Sequence, residues 1–485
     1  MGVIIFVQKR LMLLLCLLLS TYANADDFDR KKYQTDLDYI YRHVKETYAN
    51  LLHKEKVFGY KWDNVYKQAQ QELALAETEK QAYLALRFLF NHLHDEHSKF
   101  IPNKNGKIDH RAIRRWMANP FELRLIEGKV FVIYSQTHPQ ISKHELLSIN
   151  NIDVKDMLER LNRYFALGSH TIGSDSRLLY QGFLPKYFKY FTSPFPKELQ
   201  LTVKSPAGKI STVTINEHSK TTPRDFEFPI NWGKHKDPQP KLWILQENNI
   251  ALLFIPSFKL QMKNFESQVK DWVGVMEKKK VKGLIIDIRY NSGGNKSSHI
   301  LSSFLTTKPL ITRHVHFRSS KQFRVIDFKN FAKQAKKLPT RYVIGESMSK
   351  PKAEAGYSPW FKWSIRPQKN LFLTTIPVVL LVNENIYSSA NILANICKDH
   401  GLATIVGPLI PNSGHALPNH NTTKTPSGNF ILRLSVVDVR RSDFSHYESE
   451  VGETDYPINQ TIEDFFNDRD TLLNKAISLI EAQSK

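Results

Sequence analysis

The stretch PVVLLVNENIYSSANILANICKDHGLATIVG, residues 377–407, contains all the elements of a parallel α/β unit. It begins with the apolar run 378–382, which is short enough to be a strand buried on both faces. After a polar turn, apolar residues recur on one face of a helix, at Ile392, Leu393, Ile396 and Cys397. Gly401 lies where a helix C-cap is expected, and 403–406 is apolar again. The stretch therefore predicts strand, turn, helix and strand.

Ser388 and Ser389 lie where the turn enters this predicted helix. A serine hydroxyl there is next to unpaired backbone N–H groups and the positive end of the helix dipole. Such donors can stabilise an oxyanion that forms on a bound carbonyl. Serine is also a common helix N-cap, so this stretch alone leaves a nucleophile and a simple cap both open.

The length and composition indicate a globular protein of two or three domains. The chain has 485 residues, of which 41% are hydrophobic, and a formal charge of +21 from 68 basic and 47 acidic residues. The basic residues are spread along the chain, with no arginine-rich arm, zinc-finger spacing or aromatic ribonucleoprotein motif. We therefore interpret the charge as a solvated surface, with some affinity for anionic envelopes, and predict no nucleic-acid partner.

The first 25 residues predict a signal peptide. Lys9 and Arg10 precede the apolar run 11–19, and Ala-Asn-Ala at 23–25 fits a signal-peptidase site. The mature chain then retains Cys397 alone, so no internal disulfide is expected. No later stretch is apolar and long enough to predict a membrane span. We expect export, with a Gram-negative periplasm as the predicted location.

Three regions follow the predicted leader: a helical N-terminal domain at 26–118, a β-rich module at 119–240 and an α/β core at 241–485. In the first, one helix is predicted from Gln68 to His94, followed by a polar loop through His97. The loop reads either as an ordinary polar helix end or as part of a site. Zinc is disfavoured because there is no HExxH motif and no evident third ligand, and no cofactor is predicted.

The β-rich module shows strand alternation at 130–133 and 199–203, with turns at Asn150-Asn151 and Ala207-Gly208 and one helix that ends near Tyr164. Such modules often receive an extended peptide by strand addition, although a plain spacer is the alternative.

The α/β core contains a second chemical signature. A buried strand in 283–288 runs into a turn with Gly293 and Gly294, which permit positive φ and close approach of a ligand. It is not a phosphate-binding loop, because GxGxxG is absent. Residues 309–375 read as an irregular, basic and aromatic insertion without assigned chemistry. The end of the chain predicts a strand at 430–434 and a helix at 468–481.

Several blocks together resemble the S41 peptidases, the family of the C-terminal processing proteases and the tricorn core protease. The most specific are Asp-x-Arg-x-Asn-x-Gly-Gly at 287–294, Val-Asn-x-x-x-x-Ser at 382–388 and Gly-x-Ala-Thr-x-Val-Gly at 401–407. The loop around His97 and the segment 145–154 also fit. The resemblance implies a multi-domain α/β fold: a helical N-terminal part, a PDZ-like module and a catalytic core of the ClpP/crotonase-like type.

The same resemblance implies a catalytic set. Ser388 falls on the family nucleophile, and the N–H groups of Ser389 and Gly293 fall on the oxyanion hole. The lysine that activates the serine in processing-type members is replaced here by Ser413. Tricorn-like members instead use a histidine and a glutamate, which fall on His97 and Glu448.

Glu450 is a nearby alternative to Glu448, and Asn391 stands where many members carry glutamate. A histidine base would make activity fall below about pH 6.5.

Two functions are therefore weighed. The first is an exported serine endopeptidase that cleaves peptides or unfolded envelope proteins through an acyl-enzyme, as tail-specific proteases do. The second is a catalytically inactive peptide- or ligand-binding protein on the same scaffold, suggested by the missing lysine. An envelope interaction protein that uses its basic surface is a third, weaker interpretation.

Overall fold

A computed structural model gives the fold of the chain. It describes residues 28–103, 121–135, 137–166, 171–192, 196–216, 239–319, 343–348, 351, 355–411, 420–447 and 452–483. The predicted leader, and with it the signal-peptidase site, therefore lies outside the described residues, as do Ser413, Glu448 and Glu450.

We number the described elements in chain order. The helices are α1 (Arg30–Thr47), α2 (Leu51–Phe58), α3 (Trp62–Ala74), α4 (Glu79–Asn91), α5 (Val154–Phe165), α6 (Thr171–Phe191), α7 (Met262–Lys279), α8 (Ser297–Phe304), α9 (Ser389–His400), α10 (Ile462–Phe466) and α11 (Thr471–Gln483). The strands up to the core are β1 (Lys99–Pro102), β2 (Glu122–Ile126), β3 (Lys129–Tyr134), β4 (Glu145–Ile149), β5 (Ile152–Asp153), β6 (Glu198–Lys204) and β7 (Ile210–Asn216). The remaining strands are β8 (Lys241–Leu245), β9 (Ile250–Phe254), β10 (Leu284–Asp287), β11 (Leu310–Phe317), β12 (Val343–Ser347), β13 (Phe361–Ile365), β14 (Val378–Leu381), β15 (Thr404–Val406), β16 (His420–Lys424), β17 (Phe430–Ser435) and β18 (Val437–Arg440).

The N-terminal part consists of helices α1 to α4. The single helix predicted from Gln68 to His94 is wrong, because two helices, α3 and α4, share that stretch. The break is set by Thr78, whose hydroxyl accepts from the Gln81 N–H while the Gln81 side chain accepts from the Thr78 N–H. This capping box starts α4 afresh and favours a break over a continuous helix.

The N-terminal helices are joined directly to the C-terminal part of the chain. Strand β1 pairs antiparallel with β17, which also pairs with β16. Phe100 of β1 and Phe430 of β17 pack in one hydrophobic core with α1, α3 and α4. The loop that contains His97 immediately precedes β1. The pairing of β1 with β17 therefore fixes the position of the C-terminal end of this loop.

Strands β2 to β7, which lie in the predicted β-rich module, form one sheet. Asn150 and Asn151 have φ values of 50° and 62°, which places both in the left-handed region that a tight two-residue turn between β4 and β5 requires. The turn at Gly208 joins β6 and β7, as predicted. The sequence did not predict α6, which bends at Gly182 (φ 110°) and packs with α5 and β2.

The core is a five-stranded sheet in the order β15-β14-β10-β9-β8. Strands β9, β10, β14 and β15 are parallel, and β8 is an antiparallel edge. Helices α7, α8 and α9 pack on one face and α11 packs on the other. The carboxyl ends of β10 and β14 therefore meet at one edge of the sheet, where ligands bind in open α/β sheets.

A second, antiparallel sheet has the order β12-β13-β11-β18. Three of its strands lie in 309–375, so the description of that whole segment as irregular is wrong for its described parts. Strand β11, LITRHVHF, carries polar or basic side chains at 312–314 and 316, all of them buried. The hydrophobic alternation that usually reveals a strand is therefore missing from the sequence.

Among the helices of the described residues, none combines the length and the apolar character that crossing a membrane requires.

Candidate active site

Ser388 occupies a sharp turn between strand β14 and helix α9. It stands at the N-cap position with φ 53° and ψ −117°, a conformation that is strained for a residue with a Cβ, and it is half-buried. Its hydroxyl caps no helix N–H, although its carbonyl accepts from the Ile392 N–H at 2.9 Å. The simple interpretation of Ser388 as a side-chain cap is therefore wrong. Strain of this kind at a strand-to-helix turn is typical of a serine held out for chemistry.

The glycine turn after β10 interlocks with this serine turn. Gly293 has φ 84°, and a Cβ there would lie 2.5 Å from the Tyr387 carbonyl oxygen and 2.8 Å from both Ser388 Cβ and Ser389 N. Only glycine fits at such distances. The two turns are also tied by a hydrogen bond of 3.0 Å from the Tyr387 N–H to the Asn291 carbonyl.

The two predicted oxyanion donors differ in their surroundings. For the N–H of Ser389, in the first turn of α9, the described residues supply no acceptor. The N–H of Gly293 donates to Asn291 Oδ1 at 2.8 Å. Gly293 can therefore serve an oxyanion only if this bond is shared or given up, and its role stays a prediction.

Asn291 belongs to the glycine motif and positions the neighbouring turns. It is fully buried, and its Nδ2 donates to the Ile255 carbonyl at 2.8 Å. Asn291 Oδ1 accepts from the Gly293 N–H, and the Asn291 backbone carbonyl accepts from the Tyr387 N–H. This residue therefore holds the glycine turn, the end of β9 and the serine turn in register. A buried residue with all of these partners is a positioning element of the site.

His97 reaches the serine turn from the N-terminal part. Its ring stacks on the Tyr387 ring, with centroids 4.9 Å apart and an interplanar angle of 23°. Because Tyr387 directly precedes Ser388, the fold brings the predicted base and the predicted nucleophile to the same turn. His97 is 9% exposed, so its ring is largely shielded from water.

The loop that carries His97 is fixed by Asp95. The Asp95 carboxylate accepts from the His97 N–H at 2.8 Å and from the Ser98 hydroxyl at 2.7 Å. Ser98 Oγ in turn accepts from the Ser435 N–H of β17 at 3.0 Å. Burial raises the pKa of Asp95, but the Lys54 ammonium, His97 and these hydrogen bonds outweigh it and hold the pKa below its usual value. Asp95 is therefore ionised at neutral pH and anchors the loop.

A buried ion pair lies behind Tyr387. The Arg177 guanidinium pairs with Glu96, and the two side chains are 1% and 8% exposed. The Arg177 Cζ also lies 4.8 Å from the centroid of the Tyr387 ring. Arg177 belongs to α6, a helix that the sequence did not predict, and nothing in the sequence signals this contact.

The polar turn at 383–385 connects to the same helix. Asn383 Oδ1 accepts from the N–H groups of Tyr290 and Asn385, both at 3.1 Å. Asn385 Nδ2 donates to the hydroxyl of Ser176, next to Arg177, at 3.0 Å. Helix α6 therefore contacts both the base loop and the serine turn.

The third predicted triad member cannot be placed, because Glu448 lies outside the described residues. Its neighbour Tyr447 is buried, and the Tyr447 hydroxyl donates to the Thr312 carbonyl at 2.9 Å. Asn391, at the position where the S41 resemblance leads us to expect glutamate, is fully buried, and its amide donates to the Pro411 carbonyl.

The other histidine of the loop is engaged elsewhere. The His94 ring stacks on Phe58 with centroids 4.0 Å apart. Within the described ranges, no group of three or more potential metal-ligand side chains occurs.

The comparisons with known proteins agree with this architecture. Residues 249–443 match the sequence model of Peptidase family S41. This match confirms the S41 resemblance for the part of the chain that contains the Gly293 and Ser388 turns, and it supports a serine peptidase. No curated protein matches the chain.

Three solved structures share the fold over nearly the whole length of both chains. Mature CPAF has 16% identity and a TM-score of 0.66, covering 93% of this chain and 97% of that chain. Mature CPAF complexed with lactacystin has 16% identity and a TM-score of 0.64, covering 94% and 98%. A mutant of CPAF has 15% identity and a TM-score of 0.68, covering 94% and 98%. These likenesses confirm the mixed α/β, multi-domain fold; the PDZ-like character of the β-rich module remains a prediction.

Proposed function

We propose that this S41 peptidase is an exported endopeptidase that cleaves peptides or unfolded proteins through an acyl-enzyme on Ser388. The observation that carries the proposal is the meeting of three remote segments. The strained Ser388 turn, the Gly293 turn and the His97 loop contact one another through Tyr387.

The proposed chemistry follows from these groups. The Ser388 hydroxyl attacks the substrate carbonyl while its proton passes to the His97 ring. The Ser389 N–H, joined by that of Gly293, stabilises the oxygen of the tetrahedral intermediate. His97 then protonates the leaving amine, and water releases the acyl group by the reverse route. Glu448 is the proposed carboxylate that fixes the histidine tautomer.

The export proposal rests on the N-terminal sequence pattern. A basic pair, a short apolar run and Ala-Asn-Ala precede a mature chain that would begin near Asp26. We propose a periplasmic location and envelope proteins as substrates. The β-rich module, with an open edge at β7 in the described sheet, is the proposed place where an extended substrate adds a strand.

Two observations favour the second candidate, a binder without catalysis. The Gly293 N–H is already bonded to Asn291, and the lysine of processing-type members is replaced by Ser413. A protein that keeps this arrangement could bind a peptide but would stabilise the tetrahedral intermediate poorly.

Hydrolysis of unfolded casein by the mature protein separates the two candidates. The peptidase proposal expects turnover that falls by at least about 1,000-fold in Ser388→Ala and in His97→Ala. Wild-type protein that binds casein but shows no more turnover than Ser388→Ala would support the binder. Circular dichroism of each variant confirms that it is folded.

A further inference from the structure

A cluster of cationic and N–H-bearing side chains lies between helix α8 and the antiparallel sheet. Lys296 precedes α8 and His299 is in its first turn, whereas Arg313 is on β11 and Trp363 is on β13. The Lys296 Nζ lies 4.0 Å from the centroid of the Trp363 ring, and the Arg313 Cζ lies 5.4 Å from it. Both cations therefore share one indole.

The strand geometry directs Arg313 into this cluster. The pairing of β11 with β13 shifts register between Ile311 and Arg313, so that Thr312 is an extra residue. A bulge of this kind re-aims the side chain that follows it. Arg313 is then directly opposite Trp363, and opposed residues of an antiparallel pair present their side chains on the same face.

Each of these side chains has at least one buried polar atom for which the described residues supply no hydrogen-bond partner. Arg313, His299 and Trp363 are 3%, 2% and 4% exposed. Within the part of the chain that the structure describes, no acceptor is found for the following buried atoms: Lys296 Nζ, Arg313 Nε, Arg313 Nη1, His299 Nε2 and Trp363 Nε1. Native proteins leave only a few buried polar groups unpaired per hundred residues, so several in one cluster require an explanation.

Within the described ranges, the positive charge of the cluster also has no counter-charge. Among the described residues, no carboxylate forms an ion pair with Lys296 or Arg313. Burial lowers the pKa of Arg313 to about 10, while burial and the nearby Arg313 lower that of Lys296 to about 7. A buried cation that lacks a counter-charge is destabilising, and a bound anion would remove that cost.

We propose that Lys296, His299, Arg313 and Trp363 form a binding site for a small oxyanion, namely a carboxylate, phosphate or sulfate group. The guanidinium offers N–H donors and a charge that suit such groups, and the ammonium supplies a second positive charge. The indole N–H and the imidazole add neutral donors. The site shares no residue with the proposed catalytic set, and the proposal does not depend on Ser388 acting as a nucleophile.

Thermal unfolding of the mature protein tests the site. Sodium phosphate, sulfate and acetate are titrated separately, with chloride used to keep the ionic strength constant. The expected result is a saturable rise in the unfolding midpoint, about 3 °C at a hundredfold excess over the dissociation constant. A rise with phosphate and sulfate identifies a free inorganic oxyanion as the ligand, whereas a rise with acetate alone identifies a carboxylate.

Three variants make the test specific. Arg313→Met and Lys296→Met are expected to lose the saturable rise. Arg441→Met is the control, because Arg441 also lies over a buried aromatic ring, 5.2 Å from that of Tyr447, but is paired with Asp399 at 2.6 Å. It should unfold at a lower temperature and keep the full response to the anion.

The proposal is overturned by either of two results. One is a wild-type midpoint that does not rise with any of the three anions beyond the chloride reference. The other is an equal rise in the wild type, Arg313→Met and Lys296→Met, which would show that the anions act elsewhere. If Arg313→Met does not fold, Lys296→Met alone decides between these outcomes.

Discussion

The ring of His97 stacks on the ring of Tyr387, with the two centroids 4.9 Å apart. One residue comes from the loop before β1 and the other immediately precedes Ser388, so this contact couples the N-terminal helices to the catalytic core. Stacked rings contribute about 0.5–1.5 kcal/mol beyond their buried area. The contact is strong enough to orient a ring, and its loss should be visible in catalysis more than in stability.

Replacing Tyr387 tests this coupling. Tyr387→Leu removes the aromatic partner and should lower kcat by about 10- to 100-fold, because a misplaced base is ineffective. Tyr387→Phe keeps the ring, so its kcat should stay close to that of the wild type. The measurement is kcat and KM on a peptide substrate; equal kcat values for both variants and the wild type would contradict the coupling.

The Arg177–Glu96 pair is expected to act as a positioning element. Arg177→Met leaves the Glu96 carboxylate buried and unpaired, which should lower the free energy of unfolding by roughly 3–5 kcal/mol. The unpaired negative charge beside His97 favours the imidazolium, so the acidic limb of the kcat/KM profile should move to higher pH.

Two controls separate positioning from plain destabilisation. Arg177→Met combined with Glu96→Gln removes both charges and should return the acidic limb towards its wild-type position. Leu73→Ala, a fully buried change in the same helical core, should lower stability by roughly 2–5 kcal/mol and leave the pH profile unmoved. If Leu73→Ala also shifts the acidic limb of the kcat/KM profile, the loss of stability alone would account for the shift.

Gly293 tests how closely the two turns approach. Gly293→Ala places a methyl group 2.5 Å from the Tyr387 carbonyl oxygen and 2.8 Å from Ser388 Cβ, so the serine must move and activity should fall by at least about 100-fold. Gly208→Ala is a matched control, because Gly208 also has φ 84° but a methyl group there would meet nothing within 4 Å. It should cost about 1 kcal/mol of stability and leave kcat unchanged. Retained activity in Gly293→Ala would rule out this close approach.

A histidine pair predicts how stability depends on pH. His53 of α2 stacks on His446, with centroids 3.5 Å apart, near Asp438, Arg440 and Lys54. Burial and the neighbouring charges lower the pKa of His53 to about 3 and that of His446 to about 4.

Both pKa values lie below the value of about 6.5 in the unfolded chain. Between the folded and the unfolded pKa values, the unfolded chain therefore binds more protons than the folded protein. The contribution to stability is therefore complete above about pH 6.5 and is lost as the pH falls towards 4. Urea unfolding at pH 7 and pH 5 measures the loss, which should be smaller in His53→Phe. Equal losses in this variant and the wild type would contradict the assignment.

The sequence predicted the catalytic core well because its signals are local. Each signal depends only on residues close together in the chain: the apolar run 378–382, the helix face after Ser389, and Gly401. Gly401 indeed ends α9 with φ 62°. The joining of Ser388 and Gly293 could be anticipated only through the S41 resemblance. Their fit depends on a contact between residues far apart in the chain, and local patterns do not encode such distances.

What the sequence missed depends on contacts of the same long-range kind. Helix α6 carries Pro185 and bends at Gly182, which obscures its periodicity, yet it supplies Arg177. Strand β11 buries polar side chains on both faces, so it did not read as a strand. In both places tertiary partners, an ion pair or an aromatic ring, stabilise a segment whose own sequence gives a weak signal.

Covalent labelling with a fluorophosphonate probe, mapped by mass spectrometry, tests the central claim most directly. The account predicts one adduct on Ser388 in the mature wild-type protein, its absence in Ser388→Ala and slower labelling in His97→Ala. Ser389→Ala should still be labelled, because it keeps the backbone N–H and loses only a hydroxyl. Ser388 would not be the nucleophile if the folded wild-type protein shows no adduct. The same conclusion would follow if the Ser388→Ala variant is labelled as fast as the wild type.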